Sequence, residues 1–142
     1  MLMMPRILKI TEEFFEKYII TGKYDIYISD VVLQEIQRTG DPAKRKLLQD
    51  IVKKYCPNVY HVTAEIDKLA NLYIKEKIIP AKKRDDARHI AVCTINEIDC
   101  LVSWNFKHLA NENKEIKIHV VNQREGYFYP LNLTTPLGVM DE

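Results

Sequence analysis

Residues 85–111 read DDARHIAVCTINEIDCLVSWNFKHLAN, and this stretch decides the fold. Asp85 and Asp86 stand where a helix predicted over 84–96 begins, and acids there are favoured by the helix dipole. Asp86 and His89 are three apart, and Ile90 and Cys93 continue the same face. A buried-looking strand is predicted over 99–103, with the polar cluster Ser103-Trp104-Asn105 at its end. A helix start beside a strand end is where an α/β sheet usually holds a metal or phosphate site.

The bulk composition narrows the class. A chain of 142 residues is expected to form one domain, spanning 1–142, with a core that needs no staples. With 46% hydrophobic and 29% charged residues it has an ordinary globular balance. The formal net charge is only +1, so any nucleic-acid contact must come from local patches. Cys56, Cys93 and Cys100 are an odd set without C-x-x-C spacing, which reads as free thiols in a reducing cytosol. No apolar run reaches the length of a membrane span, and the N-terminus lacks a signal-peptide profile. A cytoplasmic protein without membrane contact is the expectation.

Working outward from residues 85–111, helices alternate with strands. Thr11 caps a predicted helix with Glu12 and Glu13 in its first turn, and Gly22 ends it. Residues 24–29 (YDIYIS) alternate as a short strand, Ser29 or Asp30 caps the next helix, and Gly40 stops it. Asp41-Pro42 opens a further helix with Leu47, Leu48, Ile51 and Val52 on one face. A second strand is predicted over 58–62. Thr63 caps a helix bearing Ile66, Leu69, Ala70 and Tyr73, and Ile78-Ile79-Pro80 breaks it. After strand 99–103 come a short helix over 106–111, a last strand over 116–121, and a tail read as an irregular wrap or edge hairpin. The alternation predicts a parallel α/β sheet.

Three residues can converge at the carboxyl ends of such strands. Asp86 taken alone is as well explained by capping as by chemistry. Glu35 lies about one turn past strand 24–29, between Leu33 and Ile36, where a carboxylate near an apolar seam costs desolvation unless paired. Asn105 lies two residues past strand 99–103. Carboxylates, an amide and waters are what Mg²⁺ or Mn²⁺ accepts, and such an ion can hold a phosphodiester and lower the pKa of a bound water. Around this set, Lys82, Lys83, Arg84, Lys107 and His108 are candidate phosphate or RNA contacts, a solvated charge run being the default for the first three. His89 is read as structural. Trp104 is read as core rather than a stacking platform, and Tyr55, Tyr60 and Tyr73 as packing.

These residues resemble the PIN-domain family. DDARHIAVCTINEIDCLVSWNFKHLAN looks like its central D-x-x-H-(I/L)-A motif followed by a strand and (T/S)-W-(N/D). ISDVVLQEI resembles its serine–hydrophobic–Glu segment, and GYFYPLNLTTP the C-terminal tail of one bacterial and archaeal branch. The likeness runs from about Arg6 to the end of the chain. It implies a three-layer α/β/α sandwich on a mainly parallel sheet and Mg²⁺- or Mn²⁺-dependent cleavage of RNA. Many small family members are toxins of toxin–antitoxin pairs, usually dimeric, so an antitoxin protein and a second copy are implied partners. Carried over, Glu35, Asp86 and Asn105 match the family's catalytic and metal-binding positions, and Asp85 has no counterpart.

One departure stands beside the matches. The family opens on a strand ending Leu-Asp-Thr, whose Asp is a central metal ligand, whereas here no Asp precedes Asp25. The expectation is an N-terminally truncated PIN-like domain lacking its first strand, and Met1, Met3 and Met4 offer several nearby starts. Loss of a charged ligand weakens a divalent site. The alternative function is therefore a catalytically impaired PIN-like module that binds a protein or RNA partner.

Overall fold

A computed structural model describes residues 27–55, 58–102 and 112–134. The chain divides into two compact units, Met1–His61 and Val62–Glu142. In the first, strand β1 (Tyr27–Ser29) leads into helix α1 (Asp30–Gln37), and helix α2 (Pro42–Tyr55) leads to strand β2 (Asn58–Tyr60). Val31 and Ile36 are the buried residues of α1. Asp41 caps α2: its Oδ1 accepts from the backbone N–H of Ala43 at 3.0 Å and of Lys44 at 3.4 Å, while Pro42 takes the first helical position, where its missing N–H costs nothing. Leu47, Leu48, Ile51 and Val52 are all half-buried, as their spacing predicts. β1 and β2 pair in parallel, Ile28 opposite Val59, with the two helices as the crossover that parallel pairing requires.

The second unit begins at a cap. Thr63 Oγ1 accepts from Ile66 N–H at 3.2 Å and starts helix α3 (Ala64–Lys75). Ile66, Leu69, Ala70 and Tyr73 form its buried stripe, at the i, i+3, i+4, i+7 spacing of one helical face. A single 3-10 turn (Ala81–Lys83) feeds helix α4 (Arg84–Ile95), which packs on α3. From Ile90 to Thr94 every residue of α4 is buried, so its C-terminal half is enclosed on all sides while its first turn stays at the surface. Strand β3 (Cys100–Val102), helix α5 (Glu112–Arg124) and strand β4 (Asn132–Thr134) follow among the described residues. β4 pairs in parallel with β3, Leu101 opposite Leu133.

The expectation of helices alternating with parallel strands holds, with two parallel pairs among the described residues, one within each unit. Two sequence expectations are corrected. Residues 116–121 are helical, part of α5, and not a strand. The run IKIHVV alternates apolar and polar residues, which mimics a half-buried strand. Ile118, Val121 and Asn122 are nevertheless buried on one helical face, and Ile116 and Val120, one turn apart, are left 59% and 57% exposed. Tertiary contacts thus outweigh the β-branched residues' local preference. In the tail, residues 127–131 are irregular, as one of the two expectations has it, and residues 132–134 make the parallel strand β4 in place of a hairpin strand. The helix expected over 106–111 lies outside the described residues. Among the described residues no helix is long and apolar enough to cross a membrane.

Candidate functional site

Asp85 and Asp86 occupy the first turn of α4, where four backbone N–H groups lack intrahelical partners and the dipole favours negative charge. The two acids differ. Asp85 faces Arg88 at 3.5 Å, one turn on, and Arg88 also donates through Nε to Asp67 of α3 at 3.0 Å. Asp85 thus joins an arginine-centred cluster on the α3–α4 seam. Asp86 and His89, both half-buried, flank the stripe of Ala87, Ile90 and Ala91, each wholly buried. α4 hands the chain to β3 through a short turn and contacts it. The residues that follow Val102, 103–111, lie outside the described residues.

Glu35 is half-buried on α1, one residue before buried Ile36, and its backbone carbonyl accepts from Thr39 Oγ1 at 3.3 Å. It belongs to the first unit and Asp86 to the second. Asn105, Lys107 and His108 lie outside the described residues. Lys82, Lys83 and Arg84 are exposed on the 3-10 turn and at the start of α4, adjoining Asp86. Among the described residues no three His, Cys, Asp or Glu side chains gather into a cation-binding group.

A buried polar network links α3, α4 and α5, and sequence reasoning missed it. The Tyr73 hydroxyl of α3 donates to Asn122 Oδ1 of α5 and lies 3.5 Å from Thr94 Oγ1 of α4, and Asn122 Nδ2 donates to the same Thr94 oxygen at 3.3 Å. All three residues are buried. Burial pushes the Tyr73 phenol well above its usual range, with the hydrogen bonds from Thr94 and Asn122 opposing the rise only in part. Tyr73 is thus packing, as its place in the α3 stripe predicts, but it is also the polar clasp of the core. The available signal was Asn122 in an otherwise apolar V-V-N stretch, an amide that must find partners if buried.

At the surface, further links tie the C-terminal portion down. Tyr127 donates to Glu65 at 2.6 Å and Arg124 to Glu76 at 2.7 Å, while Tyr129 donates to Asp99. The hydrogen bond to Glu65, helped by partial burial, pushes the Tyr127 phenol up to about 12. The Arg124 guanidinium holds the Glu76 carboxyl below the usual carboxylate range. His119 meets the Leu131 carbonyl through Nε2 at 2.9 Å; a carbonyl only accepts, so that nitrogen carries the proton. Comparisons with protein-family models, with curated proteins and with solved structures give no significant match.

Proposed function

We propose that the chain is a PIN-type endoribonuclease of the toxin–antitoxin kind, dependent on Mg²⁺ or Mn²⁺, on a three-layer α/β/α sandwich. The observation that carries the reading is Asp86, half-buried in the first turn of a helix whose residues 90–94 are buried in the core and which leads into β3. The order of acid, helix, strand and Ser-Trp-Asn is the one the family resemblance requires. Glu35, Asp86 and Asn105 supply only oxygen donors, and that donor chemistry fits a hard divalent cation. Such an ion, when bound, supplies a Lewis acid and a water of lowered pKa. The chain's own part is to hold it through those three residues and to seat the scissile strand with Lys82, Lys83, Arg84, Lys107 and His108. The partners of this reading are an RNA substrate, an antitoxin protein and a second copy of the chain, in the cytoplasm.

Cleavage of a labelled RNA in Mg²⁺ or Mn²⁺ tests it. The wild-type chain is expected to cut, and Asp86→Ala to abolish cutting; undiminished cleavage by that variant overturns the assignment. A second reading makes the chain a non-catalytic PIN-like module, whose signature is saturable binding of a protein or RNA partner with no metal-dependent turnover.

A further inference from the structure

A groove on the outer face of α3 is lined by Ala64, Asp67, Lys68, Asn71, Leu72 and Lys75. Two arginines of α4, one turn apart, reach it across the helix seam. Arg88 donates to Asp67, so a carboxylate offsets its charge, and Asp85 adds a second. Arg84 donates instead to the side-chain carbonyl of Asn71, a neutral amide. It is held in place with its charge intact and most of its five donors unspent, in a planar fork that matches phosphate oxygens.

The surrounding charges point the same way. The acids of this surface have partners: Asp67 has Arg88, Glu65 has Tyr127 and Glu76 has Arg124. Lys68 and Lys75 make no ion pair among the described residues, and the same is true of Lys82 and Lys83 on the adjoining turn. Lys68 and Lys75 are seven residues apart on one helical face, roughly 10 Å along the axis, with Asn71 and its arginine midway between them. Three cationic side chains, Lys68, Arg84 on its Asn71 anchor, and Lys75, thus belong to positions that follow one another along α3 at roughly 5 Å of axial rise. Among the described residues the groove's lining is polar and charged apart from Ala64 and Leu72, and so offers charge and hydrogen-bonding forks.

We propose that this groove seats the phosphate backbone of a single-stranded RNA, about three phosphates against Lys68, Arg84 and Lys75, without reading its sequence. The identity of the strand rests on the ribonuclease reading; the site itself does not include Asp86. Arg84 sits where both meet, adjoining Asp86 and anchored on Asn71, so the groove extends a strand's path from the first turn of α4 along α3.

The test is fluorescence anisotropy of a labelled oligouridylate with the full chain carrying Asp86→Ala, in EDTA, over a salt series. Arg84→Ala is expected to raise Kd about tenfold and to lower the salt slope by about 0.7; the Lys68→Ala/Lys75→Ala pair lowers it by about 1.4. Asn71→Asp gives Arg84 a carboxylate partner and is expected to weaken binding comparably while the thermal midpoint holds or rises. Lys117→Ala on α5 serves as the control and leaves affinity and slope unchanged. Wild-type affinity and slope in both Arg84→Ala and Asn71→Asp overturn the proposal. So does displacement of the RNA by polyglutamate as effectively as by unlabelled oligouridylate, which reassigns the groove to acidic peptides. RNA cleavage by the chain with Asp86 intact separates the two readings. Cleavage with no effect of the groove variants on binding sinks the groove alone. Groove-dependent binding with no cleavage in any divalent cation sinks the ribonuclease and keeps the groove as an RNA-binding surface.

Discussion

Ser29 ends β1 and opens α1, the position where a serine hydroxyl ordinarily accepts a backbone N–H of the helix's first turn. Here it makes no such bond: the residue is 4% exposed, and its Oγ is buried without a hydrogen-bond partner among the described residues. A buried hydroxyl left unpaired costs about 1–3 kcal/mol in desolvation. Ser29→Ala is therefore expected to leave stability unchanged or raise it by up to about 1 kcal/mol, opposite in sign to the usual loss of about 1 kcal/mol at a capping serine. Urea denaturation of the two proteins measures it; a loss of that size in the variant would show that the hydroxyl is satisfied after all. Thr63 is the internal contrast, because its hydroxyl does cap α3. Both residues are legible in the sequence as candidate caps, and only the fold distinguishes the one that works.

At the scale of elements, three helices of the second unit end in the same way. α3 closes with Ile78 N–H on the Tyr73 carbonyl, α4 with Ile98 on Cys93, and α5 with Tyr127 on Asn122. Each is a Schellman closure, which needs a left-handed residue just past the helix. In α5 that residue is Gly126, at φ 90°, but in α3 and α4 it is Lys77 at φ 62° and Glu97 at φ 54°. A Cβ in this region is unfavourable, so Lys77→Gly and Glu97→Gly are each expected to stabilise by about 0.5–1 kcal/mol, and Gly126→Ala to destabilise by at least as much. Thermal melts of the three variants check the signs together. No glycine marks the ends of α3 and α4, yet the expected helix end at 96 and the break at Ile78-Ile79-Pro80 lie close to the observed ends at Ile95 and Lys75. An apolar residue after the turn, Ile78 buried and Ile98 half-buried, is the signal that remains.

Over the second unit as a whole, links between remote parts of the chain have a definite pH dependence. Tyr127 is joined to Glu65, and the folded phenol titrates near 12 against an ordinary 10.0. The protonated phenol is the form favoured by folding, so this link contributes fully below pH 10 and is lost as the pH rises through 12. The stability difference between wild type and Tyr127→Phe is expected to be constant up to pH 10 and to shrink above it. A difference that grows with alkaline pH would count against the link. Glu76 works in the opposite sense: its lowered pKa gives a contribution present above the ordinary carboxylate pKa and lost in acid.

What the sequence by itself determined is what lies within a few residues along the chain. The Asp41-Pro42 start, the Thr63 cap, the α3 stripe and the acidic opening of α4 are local, because caps, proline geometry and 3.6-residue periodicity act over one or two turns. They place Asp86 at a helix start and Glu35 on α1 without any tertiary information. The tertiary structure alone decided what depends on partners remote in sequence. Residues 116–121 became helix because Asn122 must reach Tyr73 and Thr94, and residues 132–134 became a strand because β3 offered a parallel edge. The charge of Arg88 is offset and that of Arg84 is not, because packing α4 on α3 set one beside a carboxylate and the other beside an amide. No periodicity encodes that choice, since both arginines occupy the same face of the same helix and only the facing residue differs.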